Sequence, residues 1–121
     1  MNHALLYIED DENNIYLVER LLKRRPQIEL HVARNGRDGV QAAIDKQPGL
    51  ILLDNRLPDA TGREILAELA STTATASIPV VAFSSDSGDI IDELLANGAA
   101  ESVAKPFDIH QFLTIIDRYL P

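Results

Sequence analysis

Residues 50–54, LILLD, constrain this chain more than any other stretch. Leu50, Ile51, Leu52 and Leu53 run apolar without a break and stop at Asp54. Pro48-Gly49 precedes the run, and Pro58 and Gly62 follow it. So short an apolar run between turn signals predicts a strand buried on both faces, as in a parallel sheet covered by helices on both sides. An acid at the C-terminal end of such a strand costs free energy unless it is paired or does chemistry. Open parallel sheets also bind their ligands at that end. Asp54 is therefore the first candidate for a functional centre. Taken by itself, the stretch fits a solvated loop aspartate equally well.

The rest of the chain supplies partners for such a strand. Residues 4–8, ALLYI, read as a first strand ending in Glu9, Asp10, Asp11 and Glu12. A helix is predicted over residues 13–25, with Ile15, Val18 and Leu22, together with Leu17 and Leu21, at helical spacing. Lys23, Arg24 and Arg25 suit the negative end of its dipole, as a solvated helix end or a dock for an acidic partner, and Pro26 stops it. Residues 28–33 alternate in polarity and read as an edge strand with one wetter face. Asn35-Gly36 opens a helix carrying Val40, Ala43 and Ile44. After Gly62 a helix carries Ile65, Leu66 and Leu69, and residues 71–77 read as a loop. IPVVAF (78–83) is a fourth strand, followed by Ser84, Ser85 and Asp86. Asp86 or Ser87 can cap a helix with Ile90, Ile91, Leu94 and Leu95 on its inner face, and Asn97-Gly98 is a C-cap signal. Residues 99–104 form a weak fifth strand before Lys105-Pro106, and Asp108 caps a last helix with Phe112, Leu113, Ile116, Tyr119 and Leu120 buried.

Strand and helix thus alternate five times, which implies a parallel sheet. Right-handed crossovers leave few topologies, and a flavodoxin-like (βα)5 α/β fold, doubly wound in the order 2-1-3-4-5, fits the length and the wetter second strand. At 121 residues one domain spanning 1–121 is expected. Nineteen acidic against 11 basic residues, a net charge of −8, disfavour direct nucleic-acid binding. Absence of cysteine excludes disulfides, thiol nucleophiles and cysteine metal sites. No room for a signal peptide precedes the first strand, and no apolar run reaches membrane-spanning length, so a soluble, cytoplasmic protein without membrane contact is expected. His3, His31 and His110 fall on three separate elements and read as structural or surface residues.

In that strand order, strands one, three, four and five are neighbours, and each ends in a polar group: Glu9 and Asp10, Asp54, Ser84, and Lys105. Any one of these has an ordinary explanation. Asp10 could cap the first helix, Ser84 could be a turn residue and Lys105 a surface cation. Their coincidence at one sheet edge favours a site. Three crowded carboxylates repel and call for a cation. Oxygen donors suit a hard divalent ion, with Mg²⁺ the most available. Metal, ammonium and hydroxyl together match the needs of a phosphoryl group. With no histidine or cysteine at these strand ends, Asp54 is the group placed to accept it, as an acyl phosphate.

Four stretches, LLYIEDD (5–11), LILLDNRLPDATG (50–62), VVAFSS (80–85) and AKPF (104–107), each weak by itself, stand in an order and spacing that closely resemble a response-regulator receiver domain of two-component signalling. The resemblance covers essentially the whole chain. It implies that Asp54 is phosphorylated by a sensor histidine kinase or histidine phosphotransfer protein. It implies that Asp10 and Asp54 bind Mg²⁺ directly, with the backbone carbonyl of Arg56, while Glu9 acts through water. Ser84 and Lys105 would pair with the phosphoryl group, and the Lys105-Pro106 bond would be cis. Where such domains usually carry Tyr or Phe three residues before the lysine, this chain has Ser102. Three other readings compete. A Mg²⁺-dependent phosphatase with an aspartate nucleophile would need a cap that 121 residues leave no room for. A receiver used only as a docking scaffold is opposed by the intact Asp10, Asp54, Ser84 and Lys105, while Ser102 leaves it open. An FMN carrier is opposed by carboxylates where the cofactor phosphate would lie.

Overall fold

In the computed structural model, which describes residues 2–85 and 88–121, five parallel strands form one sheet in the order β2-β1-β3-β4-β5. They are β1 (Ala4–Ile8), β2 (Glu29–Ala33), β3 (Leu50–Asp54), β4 (Val80–Ser84) and β5 (Glu101–Ala104). The helices between and after them are α1 (Glu12–Leu21), α2 (Gly36–Lys46), α3 (Gly62–Ser71), α4 (Gly88–Ala96) and α5 (Ile109–Tyr119), and α1 runs on into a 3₁₀ turn, Leu22–Arg24. The order is the flavodoxin-like one expected from the alternation. Among the described residues no helix is long and apolar enough to cross a membrane.

Alternate strand residues face opposite sides of the sheet. Leu5, Tyr7, Leu50, Leu52, Val81, Phe83 and Val103 pack against Ile15 and Val18 of α1 and Phe112, Ile115 and Ile116 of α5. Leu6, Ile8, Ile51, Leu53, Val80 and Ala82 pack against α2, α3 and α4. All five residues of β3 are buried, as its unbroken run predicts. The edge strands β2 and β5 are partly exposed, and β2 carries the alternating polarity that an edge position allows.

Local chemistry sets the ends. Asp11, rather than Asp10, caps α1, accepting from the Asn13 N–H at 2.8 Å. Asp108 caps α5 as expected, through the Gln111 N–H. Gly98, at φ +111°, ends α4 in the left-handed turn that Asn97-Gly98 signals. The cap expected at Asp86 or Ser87 lies outside the described residues. The basic end of the first helix is only partly solvated, since Arg25 makes a bidentate pair with Asp117 of α5 at 2.6 and 2.7 Å. Two leucines expected inside are out: Leu17 and Leu95 are each 43% exposed. Tyr119 and Leu113 are half-buried, and Ile115 completes the inner stripe of α5 instead.

Candidate functional site

Register brings the strand ends level. Ile8 lies opposite Leu53, Asp54 opposite Phe83, and Ser84 opposite Ala104. The Lys105 N–H then donates to the Ser84 carbonyl at 2.9 Å, and the Lys105-Pro106 bond is cis. Glu9, Asp10, Asp54, Arg56, Ser84 and Lys105 all line one cleft of about 210 Å³. All six site residues read from the sequence therefore meet in one place.

Period-two geometry fixes which way the acids face. Glu9 follows Tyr7, and Asp54 follows Leu52, on the α1/α5 side of the sheet. Both are buried, at 1% and 7% exposure, whereas Asp10 is exposed. The Lys105 ammonium reaches Asp54 Oδ1 at 2.5 Å and Glu9 Oε1 at 3.3 Å. Burial would lower the pKa of this amine, but the hydrogen bond and charge of Asp54, with those of Glu9, outweigh it and hold the pKa above the ordinary value. Burial and the nearby Asp54 charge push the Glu9 carboxyl up, opposed by Lys105 and Asn14. The second oxygen of Asp54 accepts the Arg56 N–H at 3.2 Å.

The loop after β3 is held by its own backbone. The Asn55 carbonyl accepts the Gly62 N–H, the Ala60 carbonyl accepts the Leu57 N–H, and Arg56 bridges to Thr61. Asp59 then accepts the N–H groups of Gly36 and Arg37 at 2.7 and 3.0 Å, tying the loop to the first turn of α2.

Glu9, Asp10 and Asp54 each offer a carboxylate oxygen, and the three atoms lie within 4.8 Å of one another. An all-oxygen, anionic donor set of this size fits a hard divalent cation. No histidine joins a comparable cluster among the described residues.

Two members of the site were missed by the sequence reading. Tyr7, a core residue by pattern, donates its hydroxyl to Glu9 Oε1 at 3.2 Å. Asn14, in the first turn of α1, donates to the same oxygen at 2.9 Å. The only sequence signal for Tyr7 was its place two residues before Glu9, on the same face of the strand.

The sequence pattern of the response regulator receiver domain matches residues 5–117. The chain belongs to that family. It is thus a receiver domain of two-component signal transduction. It is 28% identical to the polar-differentiation response regulator DivK of Brucella anthropi, over 99% of this chain and 98% of that protein. It is 32% identical to the regulatory protein AtoC of Escherichia coli over 95% of this chain, which corresponds to 25% of AtoC. The fold matches the receiver domain of the sensor histidine kinase PA1611 from Pseudomonas aeruginosa, with a TM-score of 0.86, 24% identity, and 99% and 98% of the two chains covered. It also matches the cyanobacterial phytochrome response regulator RcpA, with a TM-score of 0.82, 26% identity, and 98% and 91% covered.

Proposed function

We propose that the chain, 1–121, works as one phospho-acceptor domain in the cytoplasm, with Asp54 taking a phosphoryl group from a histidine of a sensor kinase or phosphotransfer protein. One observation carries this reading: Asp54 is buried at the end of β3, 2.5 Å from the Lys105 ammonium, in the cleft that also holds Glu9 and Asp10. A carboxylate oxygen of Asp54 attacks the phosphorus of the phosphohistidine. The bond from phosphorus to nitrogen breaks, and the imidazole nitrogen leaves with the electron pair and takes up a proton. Asp54 is left as an acyl phosphate. Lys105 and the Ser84 hydroxyl then donate to the phosphoryl oxygens.

Mg²⁺ fits the donor set. Asp10, Asp54 and the Arg56 carbonyl would hold it directly, with Glu9 acting through water. When bound, the ion offsets the negative charge that gathers on the phosphoryl oxygens. One structural neighbour supports the metal, since the PA1611 receiver has a magnesium ion coordinated in its active-site cleft, and another supports the phosphoryl acceptor, since RcpA has been crystallised phosphorylated. Attack of water on the acyl phosphate releases inorganic phosphate and restores Asp54. The domain catalyses these two steps on itself only. Its output is a change in partner affinity between the two states.

Intact-mass measurement after incubation with acetyl phosphate and Mg²⁺ tests the acceptor. The wild-type chain gains one phosphoryl group, and Asp54→Asn gains none. Undiminished labelling of the Asn variant overturns the assignment.

A further inference from the structure

Glu9 Oε1 accepts three donors at once: Tyr7 OH at 3.2 Å, Asn14 Nδ2 at 2.9 Å and Lys105 Nζ at 3.3 Å. Its other oxygen accepts the Asp10 N–H at 3.2 Å. A carboxylate so engaged is fixed in place, since leaving means giving up hydrogen bonds to a charged acceptor. Asp10, by contrast, is exposed at the cleft. Apolar packing alone does not call for the phenol hydroxyl of Tyr7, which is fully buried in the α1/α5 core and has the Glu9 carboxylate as its partner.

We propose that Tyr7, seconded by Asn14, is a positioning residue that keeps Glu9 turned onto Lys105 and so holds down the affinity of the cleft for a divalent cation. This rests on the metal site of the preceding reading and adds a residue that sets its strength. Two effects act in the same direction. The donated hydroxyl dipole offsets part of the Glu9 charge, lowering the negative potential at the cleft. It also raises the cost of moving Glu9 toward an incoming cation, and that cost is subtracted from the binding free energy. A receiver with a looser grip on its cation releases and rebinds it between signalling states, instead of staying loaded.

The test is calorimetric titration of the unphosphorylated domain with MgCl₂, using Tyr7→Phe and Asn14→Ala in the wild-type and Glu9→Gln backgrounds. Loss of one hydrogen bond to the carboxylate should tighten Mg²⁺ binding by roughly three- to tenfold in the wild-type background. Neither substitution should change affinity in the Glu9→Gln background, because both act through the Glu9 charge. A purely structural role for Tyr7 would alter thermal stability in both backgrounds without this dependence. Unchanged or weakened binding in Tyr7→Phe, or an equal change in both backgrounds, overturns the inference. If Tyr7→Phe does not fold, Asn14→Ala, at a half-buried helix position, decides by the same criterion. A wild-type domain that binds no Mg²⁺ would instead remove the metal site itself, and this inference with it. Retained wild-type binding that ignores both substitutions removes this inference alone.

Discussion

Lys105→Met isolates what the ammonium does for the two buried acids, because methionine keeps much of the aliphatic stem and deletes the charge. At an effective dielectric of about 20, contacts of 2.5 and 3.3 Å correspond to gross attractions of about 7 and 5 kcal/mol. Desolvation of the amine and the mutual repulsion of Glu9 and Asp54 consume most of this. A second limit comes from protonation. An acid stranded without its cation takes up a proton instead, and at pH 7 that costs at most about 4 kcal/mol for a group with an ordinary pKa of about 4. The expected loss is therefore about 2–4 kcal/mol at pH 7. With unfolding entropy of about 2.1 cal/mol/K per residue, a chain of 121 residues loses about 4 °C of Tm per kcal/mol, so the midpoint should fall by about 8–16 °C.

The pH dependence has a definite sign. Burial and the Asp54 charge already push the Glu9 carboxyl up, and Lys105 is among the groups that hold it down. Without Lys105 its folded-state pKa rises further above the unfolded value of about 4. Between those two pKa values the native state binds more protons than the unfolded state, so stability falls as pH rises. The penalty of Lys105→Met, measured against wild type, should therefore be largest at pH 7 and shrink as the pH is lowered toward the unfolded value. Millimolar Mg²⁺ should recover more stability in the variant than in wild type, because a cation held by the folded arrangement of acids would no longer compete with the ammonium for Asp54. Urea unfolding at pH 7 and pH 5, with and without Mg²⁺, measures all three effects. A variant within about 0.5 kcal/mol of wild type at pH 7, a difference as small as that of ordinary surface substitutions, would mean that the ammonium is not what holds the two acids. A penalty that grows on acidification would mean the same.

Two further substitutions test the packing around the site. A Cβ at Gly39 would lie 2.6 Å from Ile8 Cδ1 and 2.9 Å from both Cγ atoms of that side chain, a clash that no single rotation relieves. Gly39→Ala should therefore lose about 1 kcal/mol in urea unfolding, overpacking of about 1–3 kcal/mol exceeding a helix-propensity gain of about 1 kcal/mol; a stabilised variant would show that α2 shifts freely against β1. The buried Ser102 Oγ has no hydrogen-bond partner among the described residues, so Ser102→Ala should gain about 0.5–1 kcal/mol by the same assay. A net loss would mean that an ordered water serves the hydroxyl.

What the sequence made legible was periodicity and strand ends. Apolar runs closing on polar residues were enough to place Glu9, Asp10, Asp54, Ser84 and Lys105 together, because parallel strands in register bring their C-termini level. Direction within a run of like residues was not legible. Glu9, Asp10 and Asp11 are chemically near-equivalent on the page, yet they serve as the acid paired with Lys105, the exposed acid and the helix cap. The division follows from where the strand stops and the helix starts, a matter of one residue. Helix faces were read too widely for a similar reason. At about 100° per residue, Leu17 sits about 160° around its helix from the buried Ile15, and Leu95 about 100° from the buried Leu94, so hydrophobicity placed them inside while geometry turns them out.

Long-range partners were the least legible. Arg25 and Asp117 are 92 positions apart, and nothing in either neighbourhood marks the other. Tyr7 was hidden differently, because a tyrosine in a core strand satisfies the apolar pattern with its ring and leaves no trace of its hydroxyl. Only the sheet, by putting residues 7 and 9 on one face and the first turn of α1 above them, reveals that the hydroxyl has a charged partner. The three acids are therefore not interchangeable negative charge. Asp54 lies on the ammonium, Glu9 is bound by four donors from the protein, and Asp10 alone stands exposed to an incoming cation. A cation bound in this cleft would find Asp10 open and would compete with Lys105 for Asp54, so the ammonium and the metal would oppose each other unless a phosphoryl group gave both of them oxygens to hold.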